Sequence, residues 1–139
     1  MQSKRAELGF GIMRLPVENK NVNMQKTQEL IAEYMKGDFK YFDTSPYYVA
    51  GKSQQIIREL VVEQYPRTSF ILANKMPYYA LTDSRDYEFI FAKELEDCGV
   101  AYFDYYMLHA LTREVYELHE RLGGFTFLEA KKKEGTVKH

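Results

Sequence analysis

The chain predicts an α/β protein organised around a parallel sheet. Short apolar, aromatic-rich runs alternate with longer stretches of helical period, and glycine or proline separates most of them. The connections have the length of βαβ crossovers. Three successive apolar runs end near positions 43, 75 and 109, a period of roughly 33 residues that suits one strand–helix unit.

Each element has its own signal. Leu8-Gly9-Phe10-Gly11-Ile12-Met13 reads as a short strand, and Pro16 to Asn23 as a polar loop. Met24 to Lys36 places Leu30, Ile31, Tyr34 and Met35 at helical spacing, with Gly37 as a C-terminal stop. Phe39 to Asp43 is the second strand. Ser53 to Gln64 carries Ile56, Ile57, Leu60 and Val61 on one face, with Ser53 as an N-cap and Pro66 as a breaker. Ser69 to Lys75 is the third strand. Asp83 to Cys98 is a helix with Tyr87, Ile90, Phe91 and Leu95 on its stripe and Gly99 beyond it. Tyr102 to Leu108 is the fourth strand. Thr112 to Leu122 is helical, Gly123-Gly124 interrupts, Phe125 to Glu134 resumes, and Gly135 caps it. Thr136 to His139 reads as the start of a fifth strand. No sequence repeat, linker or low-complexity segment appears, so residues 1–139 are expected to form a single domain.

Composition narrows the function classes. The 139 residues are 45% hydrophobic, enough for a sizeable core, and their net charge is −1. No field favours nucleic acid or an anionic membrane. Lys131-Lys132-Lys133 reads as the solvated end of a helix. No run approaches the ~20 apolar residues that span a bilayer. MQSKRAELGF lacks the apolar centre of a signal peptide. The one cysteine, Cys98, permits no internal disulfide and no CxxC metal site; it reads as a small apolar filler. A reducing, cytoplasmic location is expected.

The strand ends carry the chemistry. Strand two ends at Asp43, strand three at Lys75 and strand four at His109. In parallel α/β sheets, ligands bind at the C-terminal edge, where the βα loops converge. Beside Asp43 stand two phenols, Tyr47 and Tyr48, in YFDTSPYY (41–48). A phenol with its ordinary pKa near ~10 is a poor acid–base at neutral pH, and a nearby ammonium favours its ionised form. Lys75 could supply that charge, Asp43 could hold Lys75, and His109 could hydrogen-bond a carbonyl. The pattern leaves Tyr47 and Tyr48 open.

The same residues carry a family resemblance. LGFGIMRLP (8–16), YFDTSPYY with the following GKS (41–53), LANKMP (72–77), YFDYYMLHAL (102–111) and LEAKKKEGTVKH (128–139) resemble, in order, segments of the aldo-keto reductases. The resemblance is closest to a bacterial branch whose full-length members often carry an iron–sulphur module; a single cysteine supplies no such module here. The family fold is a TIM-type (β/α)8 barrel, so the chain is expected to form a half barrel, with four strands and the start of a fifth.

The resemblance also implies roles. In the family motif the tyrosine lies five residues after the aspartate, which selects Tyr48 and leaves Asp43, Lys75 and His109 as the rest of the catalytic set. It implies hydride transfer from NADPH to an aldehyde or ketone, with Tyr48 as the acid, Lys75 tuning it, Asp43 supporting Lys75 and touching the nicotinamide ribose, and His109 orienting the carbonyl. It also sets Gly11 and Ile12 under the nicotinamide end, although Ile12 departs from the polar residue often found there.

A barrel of this type needs about 250 residues and eight strands, and its phosphate site is commonly built after strands seven and eight. A half barrel exposes strand edges and the face that should line the interior, so it is expected to dimerise, find its other half, collapse differently or aggregate. Two functions follow: an NAD(P)H-dependent carbonyl reductase acting on a small molecule, or a truncated, catalytically silent relative that serves as a folded fragment or interaction module without the cofactor-binding second half. Other candidates carry less. Gly51-Lys52-Ser53 resembles the tail of a phosphate-binding loop, but Pro46 stands where that motif needs glycine. His119, among charged neighbours, reads as a surface or boundary residue. Tyr78-Tyr79 reads as either pocket lining or packing, and Met13 and Met107 as ordinary strand core.

Overall fold

A computed structural model describes residues 8–139; the charged opening, residues 1–7, lies outside them. In chain order the elements are β1 (Gly9–Gly11), β2 (Val17–Glu18), β3 (Asn21–Val22), α1 (Met24–Lys36), β4 (Tyr41–Asp43), α2 (Ser53–Ile57), β5 (Ile71–Met76), α3 (Asp86–Cys98), β6 (Tyr105–Leu108), α4 (Arg113–Leu122) and α5 (Gly124–Glu134). Strands β1, β4, β5 and β6 pair in that order, all parallel. This is the strand–helix alternation the sequence predicts.

The fifth strand begins as expected. Val137 bridges Phe103 in parallel, Lys138 N–H donates to Phe103 O at 3.2 Å, and His139 N–H donates to Asp104 O at 2.9 Å. Residues 137–139 therefore extend the sheet beyond β6.

Register separates the two faces of the sheet. Phe42 pairs with Leu72, and Asn74 with Tyr106; all four are buried beneath the helices. The opposite face carries Gly11, Asp43, Ala73 and Tyr105 in one row, then Lys75 beside Met107. That face is more open, with Tyr105 exposed and Tyr41, Ile71 and Met107 half-buried. It is the face that would line a barrel interior. Tyr34 of α1 ties the sheet's beginning together: its ring meets Phe10, Phe39 and Phe42, and its hydroxyl donates to Leu8 O at 2.6 Å and accepts from Tyr41 N–H at 3.1 Å.

Several local expectations are corrected. The loop at 16–23 is a small antiparallel hairpin, β2 with β3, turning at Asn19 and Lys20, which both have positive φ (49° and 66°). Two-residue hairpins favour that geometry, but without Asn-Gly or Asp-Gly it leaves little sequence signal. Gly37 does end α1 as expected, but with φ −71°, the left-handed position falling on Asp38; a Cβ on Gly37 would sit 2.8 Å from the Phe39 ring. Helix α2 covers five residues and continues as a π-turn over Arg58–Val62. Ser53 does not cap it, because its buried hydroxyl is hydrogen-bonded to Thr44 Oγ1. Helix α3 starts at Asp86, whose carboxylate gathers the N–H groups of Thr82 and Asp83 into a preceding turn.

Burial also differs at four residues. Met13 and Leu30 are exposed. His119 is fully buried, its Nδ1 hydrogen-bonded to the Tyr87 hydroxyl at 2.7 Å. Lys131 is buried too; its ammonium bridges Glu88 and Glu134 at 2.8 Å each, while Lys132 and Lys133 are exposed. Cys98 is buried as expected, and burial raises its thiol pKa.

Candidate active site

The C-terminal edge of the sheet gathers the predicted ionisable residues. Asp43 and Lys75 share the open face because Asp43 is paired with Ala73, two residues before Lys75. The Lys75 ammonium lies 2.5 Å from Asp43 Oδ1 and donates to Thr44 O at 2.9 Å. The Lys75 side chain is 12% exposed and that of Asp43 30%. Few water molecules reach the ammonium, so the carboxylate and carbonyl replace its hydration.

Tyr48 joins the pair through a turn. Its N–H donates to Ser45 O at 3.1 Å and it opens a tight left-handed turn, Tyr48–Gly51. The ring then lies against Lys75, with Nζ 4.7 Å from its centroid. His109, whose N–H donates to Met76 O at 3.1 Å, sets its ring edge-on to Tyr48 with centroids 5.8 Å apart. Of the two phenols that the pattern left open, Tyr48 reaches Lys75 and His109. Tyr47 is 59% exposed and packs against Tyr79, with centroids 4.0 Å apart.

The backbone around these residues is strained. Val49 and Ala50 follow Tyr48 with φ of 55° and 51°, and Ala110 follows His109 with φ 49°. Residues with a Cβ pay about 1–2 kcal/mol in that region. Such strain persists only where surrounding structure over-determines it, and it clusters at functional sites.

Two hydroxyls complete the constellation, and neither stands out in the sequence. Ser45 is fully buried, its Oγ 3.2 Å from His109 Nδ1. Thr44 is fully buried against Ser53. Burial first, then the Lys75 charge, lowers the His109 pKa from its ordinary value, and Asp43 partly offsets this. The imidazole is therefore neutral at pH 7.

Gly11 aligns with Asp43, and nothing lies within 4 Å of where its Cβ would be, so a flat ring could approach the backbone there. The Ile12 side chain is fully buried and its N–H donates to Asp43 O at 2.9 Å. Ile12 therefore presents no exposed atom to a ligand, and the direct cofactor contact expected of it is corrected: it packs beneath the edge that Gly11 exposes. Among the described residues, no group of three or more His, Cys, Asp or Glu could hold a metal ion, and no helix is long and apolar enough to cross a membrane.

A parallel α/β half barrel with a carboxylate, an ammonium, a phenol and an imidazole at one sheet edge defines the class of protein. The aldo/keto reductase family model matches residues 7–139, and the chain belongs to that family. Solved structures share the fold. An aldo-keto reductase from Bacillus halodurans in its holo form is 23% identical, with a TM-score of 0.70 over 96% of this chain and 44% of that one. A putative aldo-keto reductase of Pseudomonas aeruginosa is 15% identical, with a TM-score of 0.75 over 93% of this chain and 52% of that one. An aldo-keto reductase from Klebsiella pneumoniae in complex with NADPH is 17% identical, with a TM-score of 0.67 over 94% of this chain and 43% of that one. The chain thus spans about half the length of these structures. No curated protein matches it.

Proposed function

We propose that the chain carries the proton-transfer half of an NADPH-dependent carbonyl reductase acting on a small aldehyde or ketone. The observation that supports this best is the Lys75 ammonium, held 2.5 Å from Asp43 and 4.7 Å from the centre of the Tyr48 ring. NADPH, when bound, supplies the hydride that the carbonyl carbon receives. Gly11 would lie under its nicotinamide end, with Ile12 buried beneath, and the part-exposed Asp43 carboxylate would accept from the adjoining ribose. The open space above Gly11 is compatible with that fit.

The chain's own residues handle the proton. The Tyr48 hydroxyl gives its proton to the carbonyl oxygen as that oxygen gains negative charge. The phenolate left behind is stabilised by Lys75, whose own position is held by Asp43 and Thr44 O, and it is reprotonated from water. Neutral His109 donates a hydrogen bond to the same carbonyl oxygen and orients it. Tyr47 and Tyr79, in ring contact beside Tyr48, would bound the substrate side.

A second reading is favoured by the length comparison, since the chain spans 43% of the NADPH-bound structure. Barrels of this type commonly bind phosphate with loops after strands seven and eight. These 139 residues alone would then hold the proton-transfer groups while gripping cofactor weakly. The outer edge of β1, unpaired among the described residues, and the exposed Tyr105 face would favour pairing with another half barrel. NADPH oxidation assayed with simple aldehydes, alongside a mass-resolved oligomer measurement, separates the readings. Turnover abolished in Tyr48→Phe supports the first. Folded protein without cofactor binding supports the second.

A further inference from the structure

We propose that Ser45 is a positioning residue that holds His109 as the tautomer with its proton on Nε2. The inference starts from a buried hydroxyl. Ser45 is fully buried, and its Oγ accepts from Tyr47 N–H at 3.3 Å. A serine hydroxyl carries one donor besides its lone pairs, and a buried donor left unmade costs about 1–3 kcal/mol. His109 Nδ1, at 3.2 Å, is the acceptor within reach of that hydrogen. If Nδ1 carried the proton instead, the serine hydrogen would lose this partner. Ser45 O–H therefore donates to Nδ1, which leaves the imidazole proton on Nε2.

The neighbours reinforce this assignment. The charged groups facing His109 are Lys75 and Asp43, from β5 and β4; burial and the Lys75 charge favour the neutral ring, and Asp43 only partly offsets them. A neutral imidazole has one donor nitrogen, and which one it is depends on the bond made by the other. Tying Nδ1 to Ser45 presents Nε2–H as the donor. That is the group a carbonyl oxygen beside Tyr48 would need, a consequence that rests on the reductase reading; the tautomer assignment itself does not. The turn 44–48 does two jobs at once. The Ser45 carbonyl receives Tyr48 N–H at 3.1 Å, and its hydroxyl fixes His109. One residue thereby sets both the phenol and the imidazole.

The test is nitrogen-15 NMR of the imidazole groups in the full chain without cofactor, at a pH where His109 is neutral. The wild type is expected to show Nε2 protonated and Nδ1 bare but shifted by an accepted hydrogen bond. In Ser45→Ala, Nδ1 should move to the position of an unbonded nitrogen and His109 should titrate at higher pH, because the neutral form loses its donor. Ser45→Thr, which keeps a hydroxyl, should restore the wild-type signal; if threonine does not fit the buried site, the wild-type and alanine spectra decide alone. A wild-type His109 with its proton on Nδ1, or an alanine variant with unchanged Nδ1 shift and titration, would overturn the proposal. If NADPH does not bind but the tautomer shift is seen, the reductase reading fails and this one stands.

Discussion

Lys75 holds Asp43 at 2.5 Å across the two central strands, on the face of the sheet turned away from the helices. The pair binds the ends of β4 and β5 together and sets a positive charge beside Tyr48. Removing one member strands the other. Asp43→Ala leaves a mostly buried ammonium with the Thr44 carbonyl and the Tyr48 ring but no countercharge, and should cost roughly 2 kcal/mol, less than a fully buried pair because Asp43 is partly open to water. Lys75→Met should cost less, since the remaining carboxylate is the better hydrated partner. Urea unfolding midpoints compare the two, and equal losses would argue against this description of the pair.

Tyr48 and Tyr47 should behave differently. Tyr48→Phe removes the proposed proton donor and is expected to lower carbonyl reduction by ~100-fold or more without weakening NADPH binding. Tyr47→Phe, whose ring packs on Tyr79 at the surface, should change turnover by less than about threefold. Comparable losses in both would undo the assignment of roles.

Two histidines should make the fold acid-sensitive. Burial lowers the pKa of both His109 and His119 below the ordinary 6.5. Between each lowered value and 6.5 the unfolded chain binds more protons than the folded one, so stability rises with pH through that window. The contribution is fully present above about 6.5 and is lost as pH falls towards the folded values. Imidazole titrations by NMR should place both rings below 6.5; a midpoint at or above it for either would contradict the described burial.

Glu94 should act in the opposite direction. Its carboxyl is buried between α3 and the sheet, with Oε2 accepting the Tyr106 hydroxyl at 2.7 Å and Asn74 Nδ2 at 3.2 Å, while Oε1 has no partner. Burial raises its pKa well above the ordinary value, with Asp97 adding to the shift. The folded state then holds a proton the unfolded state releases, so stability falls as pH rises towards the folded pKa. Glu94→Gln keeps an acceptor for both donors and cannot ionise. It should be more stable than the wild type at pH 8, by on the order of 1 kcal/mol, with a flatter pH profile. A destabilised glutamine variant at that pH would refute this.

What the sequence made legible follows from physics at strand ends. Asp43, Lys75 and His109 each close an apolar run, and the period between them matches a βα unit, so both the sheet edge and its occupants could be read. Choosing Tyr48 over Tyr47 needed a family motif, because adjacent phenols look alike until the turn directs one of them inward. Ser45 was missed because a serine after a strand looks like loop chemistry, and nothing local says that His109 lies above it. Glu94 sits among charged neighbours on α3, so its burial could not be seen without the sheet. His119 was misread for the same reason, although Val115, His119 and Leu122 share the face of α4 that turns inward. The hairpin at 17–22 was hidden because Asn19-Lys20 makes a left-handed turn without glycine.

The central claim is that the Asp43–Tyr48–Lys75–His109 edge faces a nicotinamide. Its most direct test is a fluorescence titration of the purified chain with NADPH, followed by an aldehyde added to the saturated sample. The account predicts saturable binding in the micromolar range and loss of the NADPH signal when aldehyde is added. No binding at millimolar NADPH would contradict it and leave the four side chains as a reductase site without its cofactor.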